Sequence, residues 1–155
     1  MADVEAKGNS PLFLASEGGA GDTDVSDWST PIELYRKNKK DFVGWLGMRK
    51  NGWASLVTEE KYAIHWHYYF YDHKHFLRFH NGTYWWYLSP DHPNGAYQLG
   101  GWAWHNATGW EWSLVGQNWG YFVSNYSGQQ ISYKPEGGDA LYANKEFTEL
   151  AAHGR

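Results

Sequence analysis

The sequence predicts an all-β fold: a single antiparallel domain of short hairpins. Three observations predict it. Strand-like runs flank Asn-Gly or short Gly-containing turns at several places. Residues 62–71 alternate between two sets of side chains, as a strand does. Aromatic residues make up 19% of the chain, and they suit a pleated, half-buried surface. A closed barrel, a trefoil-like barrel and a sandwich all satisfy this pattern, because each protects the edges of its sheets.

At 155 residues the chain is long enough for one domain with a proper core. Residues 1–28 are small, acidic and Gly-rich and read as a flexible N-terminal arm, in which Pro11-Leu12-Phe13-Leu14 suits a short strand or an anchor. Residues 29–155 form the expected all-β domain. Thr30, Pro31 and Glu33 resemble a helix start, so a turn or two of helix competes there with a strand over residues 32–35.

Hairpins follow in order. Residues 42–49 lead to Asn51-Gly52 and then to Trp53 and its neighbours. Residues 76–80 lead to Asn81-Gly82 and then to residues 83–88. Trp102 and Trp104 lead through residues 106–109 to Trp110 and Trp112. Residues 120–124 lead to Ser127-Gly128 and then to residues 129–133. In the strand over residues 62–71, the even positions make the better core face. The odd face carries His65, His67, Tyr69 and Tyr71. The tail predicts a short helix over residues 146–152.

Several function classes are disfavoured by composition. A net charge of −4 gives no general attraction to nucleic acid, and no nucleic-acid partner is expected. The chain has no cysteine, hence no disulfide scaffold and no thiolate chemistry. Its first residues lack the regions of a signal peptide, and the chain reads as soluble and cytoplasmic. Sequons at Asn81, Asn106 and Asn125 therefore read as turn chemistry.

Residues 62–119 hold more rings than a core needs, and the surplus predicts a stacking surface. Trp102 with Trp104, and Trp110 with Trp112, would place four indoles on one face if their strands paired. His105, Asn106 and Asp91 lie beside them in sequence and offer hydrogen bonds. His92, Asn94, Gln98, Thr108 and Glu111 are further polar neighbours. The competing reading makes these four Trp residues core. Trp85 and Trp86 are adjacent in a strand, so one should face outward, exposed or at an interface, unless a second sheet covers it. His65 and His67 share a face, but a catalytic zinc needs a third protein ligand, and neither metal nor other cofactor is expected. Acids are few in this stretch, namely Asp72, Asp91 and Glu111, and no nucleophile or phosphate-loop motif calls for catalysis.

The composition, small, cysteine-free and Trp-rich, resembles that of cytoplasmic lectins of fungi and some bacteria. The five residues Trp86-Tyr87-Leu88-Ser89-Pro90 resemble a fragment of the membrane-binding loop region in actinoporin-like toxins and assign no residue a role. The leading expectation is a carbohydrate-binding protein without catalysis. Trp and Tyr stack on sugar rings while Asn, Asp and His hold the hydroxyls. Its partners would be glycans or glycoconjugates, with membrane contact through glycolipids and with self-association as a homodimer. Two alternatives stand beside it: a membrane-active protein with aromatic loops in the headgroup layer, and an enzyme or small-molecule binder with an aromatic-lined barrel pocket.

Overall fold

The computed structural model describes residues 29–91, 96–116 and 119–154. The arm over residues 1–28, and the candidates His92 and Asn94, lie outside them. The described residues form one nearly closed antiparallel barrel with no α-helix. Its strands are β1 (Ile32–Arg36), β2 (Phe42–Met48), β3 (Ala54–Val57), β4 (His67–Tyr71), β5 (Lys74–His80) and β6 (Trp85–Pro90). Then follow β7 (Leu99–Trp102), β8 (Trp110–Gly116), β9 (Trp119–Ser124), β10 (Ile131–Tyr133), β11 (Leu141–Ala143) and β12 (Thr148–Gly154).

Neighbouring strands run in the order β3-β2-β1-β12-β9-β8-β5-β6-β7. The two ends of this path meet, because Trp53 bridges Gly100 and the Gly101 N–H donates to the Gly52 carbonyl at 2.8 Å. These contacts cover edges of the two end strands that would otherwise invite pairing with other chains. The β10–β11 hairpin lies across the seam, with bridges from Ala140 to Ser55 and from Tyr142 to Gln98. Strand β4 pairs with β5 outside the main path.

Side chains fill the interior. Ile32, Leu34, Leu46, Trp66, Leu77, Leu88, Trp110, Phe122, Ile131 and Leu150 are buried together there. Gly120 belongs to the same packing. A β-carbon there would come within 2.8 Å of the Trp112 ring and 2.6 Å of the Ser113 carbonyl oxygen. The indole of Trp112 occupies the space that glycine leaves.

The expected turns at Asn51-Gly52 and Asn81-Gly82 are present. Both glycines have positive φ, 95° and 100°. The side-chain oxygen of Asn81 accepts the N–H groups of Thr83 and Tyr84 at 2.9 and 2.8 Å, which is the turn chemistry read for that sequon.

Two helix expectations are corrected. Residues 32–36 are strand β1, paired on one side with β12 and on the other with β2. Residues 148–154 are strand β12, paired with β1, β9 and β10. In both segments the alternation matches a sheet. Ile32 and Leu34 face the core while Glu33 and Tyr35 face out, and Leu150 and Ala152 repeat the inward pattern. Pairing on both edges outweighs a local capping signal.

Candidate functional site

The expected four-indole hairpin does not form. Strand β7 pairs with β6, placing Trp102 opposite Tyr87. Strand β8 pairs with β9, placing Trp112 opposite Phe122. Between them the chain makes a 3-10 turn at Trp104–Asn106. Trp102, opposite Tyr87, is buried on the outer face of the barrel, and Trp110 is buried in its interior. They are 7% and 2% exposed, and their indole N–H groups donate to consecutive carbonyls of β6, Ser89 at 3.0 Å and Leu88 at 2.7 Å. A buried indole needs such an acceptor, and β6 offers one to each. Trp112 is half-buried, with its ring 4.4 Å from that of Phe122. Trp104 is half-buried and stands on the outer face.

Trp104 helps to build a second aromatic cluster on the outer face of the barrel. Alternation sends His67, Tyr69 and Tyr71 of β4 to this face, together with Phe76 and Arg78 of β5 and Trp85 and Tyr87 of β6. Phe76, Trp85 and Tyr87 are buried, and Tyr69, Trp104 and Ala107 pack against them. The Trp104 ring stands 5.1 Å from Tyr87, 5.2 Å from Phe76, 5.3 Å from Tyr71 and 6.0 Å from Tyr69. Its turn is anchored, because the N–H of Thr108 donates to the Ser89 hydroxyl at 3.0 Å. The result is a half-buried indole fixed on four rings, with exposed Tyr71 and His105 and half-buried Asn106 around it.

Arg78 lies under this cluster and is 3% exposed. Its guanidinium carbon is 3.8 Å from the centre of the Tyr69 ring and 3.7 Å from that of Trp85. Its Nη1 donates to the Tyr87 hydroxyl at 3.3 Å. A planar cation between two π faces locks the rings it touches. A locked surface loses less entropy when a ligand binds.

The expectation that Trp85 or Trp86 would be exposed is also corrected, since both are buried. They do face opposite ways. Trp85 is covered from outside by Arg78 and by the rings of His67 and His80 at 5.3 and 5.0 Å. The cover is a hairpin and a guanidinium, not a second sheet. Strand β6 is buried along its whole length, so the segment resembling a membrane-binding loop is an interior strand.

The histidines separate. His65 is exposed, and His67 packs on Trp85 outside the barrel interior. No group of three potential metal ligands occurs among the described residues. Asp91 directly follows Pro90, the last residue of β6. It is 8% exposed, with its backbone N–H donating to the Gln98 carbonyl at 2.7 Å. Burial pushes its carboxyl up to about 6. Sequence reasoning passes over Arg78. Its signal is its place in the Phe76-Leu77-Arg78-Phe79 run, where alternation gives it the same face as Phe76.

Fold and site together define a filled β-barrel with an aromatic platform on its outer wall. The chain matches no protein family and no curated protein. No helix among the described residues is long and apolar enough to cross a membrane.

Proposed function

We propose that this barrel binds carbohydrate, with Trp104 as the stacking residue. One observation carries the reading: the Trp104 ring is held by four neighbouring rings yet is only half-buried. A pyranose presents an apolar C–H face to such a plane and hydroxyls to its surroundings. Tyr71, His105 and Asn106 are the groups within reach of those hydroxyls. The partners are glycans or glycoconjugates, and the absence of cysteine suits a cytoplasmic setting. A glycan array probed with the parent protein and with Trp104→Ala tests the proposal. The parent should bind at least one glycan, and the variant should lose that binding by tenfold or more while staying folded. A parent blank across the array, or a variant that binds as well as the parent, refutes it.

One observation favours a second reading. Phe70 and Tyr71 are 59% and 52% exposed at the β4–β5 tip, next to Lys74. Exposed aromatics beside a basic residue suit the lipid headgroup layer. Release of dye from anionic vesicles, lost in Phe70→Ser, would support this reading over the first.

A further inference from the structure

We propose that the barrel carries a second saccharide-binding face on a separate wall, built from Glu33, His153, Tyr35, Trp45 and Trp119, so that each chain is divalent. The proposal rests on the carbohydrate reading above and adds a site to it. The strand register lays the site out. Trp45 of β2 is opposite Glu33 of β1, Glu33 is opposite His153 of β12, and His153 is opposite Trp119 of β9. Directly opposed residues point to the same face of a sheet. Four neighbouring strands therefore present one row, Trp-Glu-His-Trp, on the outside of the barrel. At roughly 4.8 Å per strand the row spans about 14 Å.

The polar groups are at its centre. Glu33 Oε1 lies 3.1 Å from His153 Nδ1 and accepts the Tyr35 hydroxyl at 3.3 Å. With Nδ1 turned to the carboxylate, the imidazole has Nε2 left for another partner. Rings border this pair. Trp119 is 4.6 Å from the His153 ring and 4.8 Å from Tyr35. Tyr35 is 5.3 Å from Phe42, and Phe42 is 4.7 Å from Trp45. The Glu33 side chain is 12% exposed and that of His153 26%, so the polar pair keeps some contact with solvent. A carboxylate and an imidazole at the centre, with indoles at both ends, match a short neutral oligosaccharide. Its hydroxyls donate to the polar pair while its C–H faces lie on the rings.

The two sites share no strand. The first uses β4, β5 and β6 and the turn after β7; the second uses β2, β1, β12 and β9. Strand β8 separates them on one side, and β3 and β7 on the other. One sugar chain end cannot fill both, and two separate sites let one protein bridge two glycan chains.

The experiment titrates the protein calorimetrically with chitotriose, mannotriose and N-acetyllactosamine. It also follows turbidity with yeast mannan and asialofetuin. The expected result is two sites per chain and precipitation of at least one multivalent glycan. Trp119→Ala should lower the stoichiometry from two to one and abolish precipitation. Trp104→Ala should do the same, and the double variant should bind nothing. His153→Gln keeps the size of the side chain and serves as the second test of the row. Should both row variants unfold, the indole signal of Trp119 in the parent's NMR spectrum decides, since it should shift on sugar addition. A parent stoichiometry of one, row variants that retain two sites, or a Trp119 signal that stays still each overturns the second face and leaves the first standing. A parent that binds none of these glycans overturns both.

Discussion

The guanidinium carbon of Arg78 lies 3.7 Å from the centre of the Trp85 ring, with Tyr69 on its other side at 3.8 Å. A buried cation held this way is worth about 2 kcal/mol or more. Lysine keeps the charge but has no plane to stack, and it is strongly hydrated. Arg78→Lys should therefore lower unfolding stability by about 1–2 kcal/mol, read by urea denaturation with tryptophan fluorescence. A loss below about 0.5 kcal/mol would mean that the rings hold themselves in place.

Trp110 and Trp104 make opposite forecasts. Trp110 is 2% exposed and hydrogen-bonded to Leu88. Trp110→Ala removes a filled volume and strands that carbonyl, costing roughly 3–5 kcal/mol. Trp104→Ala gives up contacts on one side only, and thermal melting should place it much nearer the parent. Equal destabilisation of the two would make Trp104 a core residue in all but exposure.

Asp91 predicts a pH dependence. Its carboxyl is raised from 3.8 to about 6 by burial, so the folded protein holds this proton more tightly than the unfolded chain does. The stabilising effect is complete below the unfolded value and is lost as pH rises through the folded one. Asp91→Asn removes the charge that burial disfavours. Discounted for solvent screening, it should stabilise the protein at pH 7 by about 1 kcal/mol. The advantage over the parent should vanish below about pH 4, near the unfolded carboxylate value. A variant no more stable than the parent at pH 7 would show that the carboxylate is adequately solvated.

The β4–β5 turn carries its own test. Tyr71 pairs with Lys74, so Asp72 and His73 alone make the turn, and both have positive φ, 52° and 63°. Asn-Gly is the dipeptide such turns prefer. Replacing Asp72-His73 by Asn-Gly should stabilise the protein by about 1 kcal/mol, since a left-handed non-glycine residue costs about 1–2. A fall in melting temperature would instead assign these side chains a role in holding the tip.

Local features are legible in the sequence. The alternation sends Trp66 and Tyr68 toward the core and His67 and Tyr69 away from it, and the barrel keeps that division. The expected strand over residues 62–71, however, starts only at His67, after a 3-10 turn at residues 60–62, and Tyr62 and Phe70 of the expected core face are exposed. Asn51-Gly52 and Asn81-Gly82 mark turns because few other dipeptides accept positive φ. Trp104, His105 and Asn106 are among the residues from which the sequence predicts a stacking surface, and Trp104 stands in the outer aromatic cluster. The predicted face differs from the observed one because it requires the strands before and after residues 104–109 to pair with each other. Trp102 and Trp110 each found a β6 carbonyl instead, and β7 closed the barrel against Gly52.

Strand identity is a property of neighbours in sequence, since period-2 burial and turn dihedrals need only a few residues to declare themselves. Strand partnership is not. Glu33 and His153 are 120 residues apart and meet only because β1 lies beside β12 in the closed sheet. Nothing near either residue announces the other. The same holds for Trp85, whose burial depends on Arg78 reaching across from the neighbouring strand. Composition and alternation determined that this chain is an aromatic β domain. The closing of the barrel, which fixes who lies beside whom, decided which rings became core and which became surface.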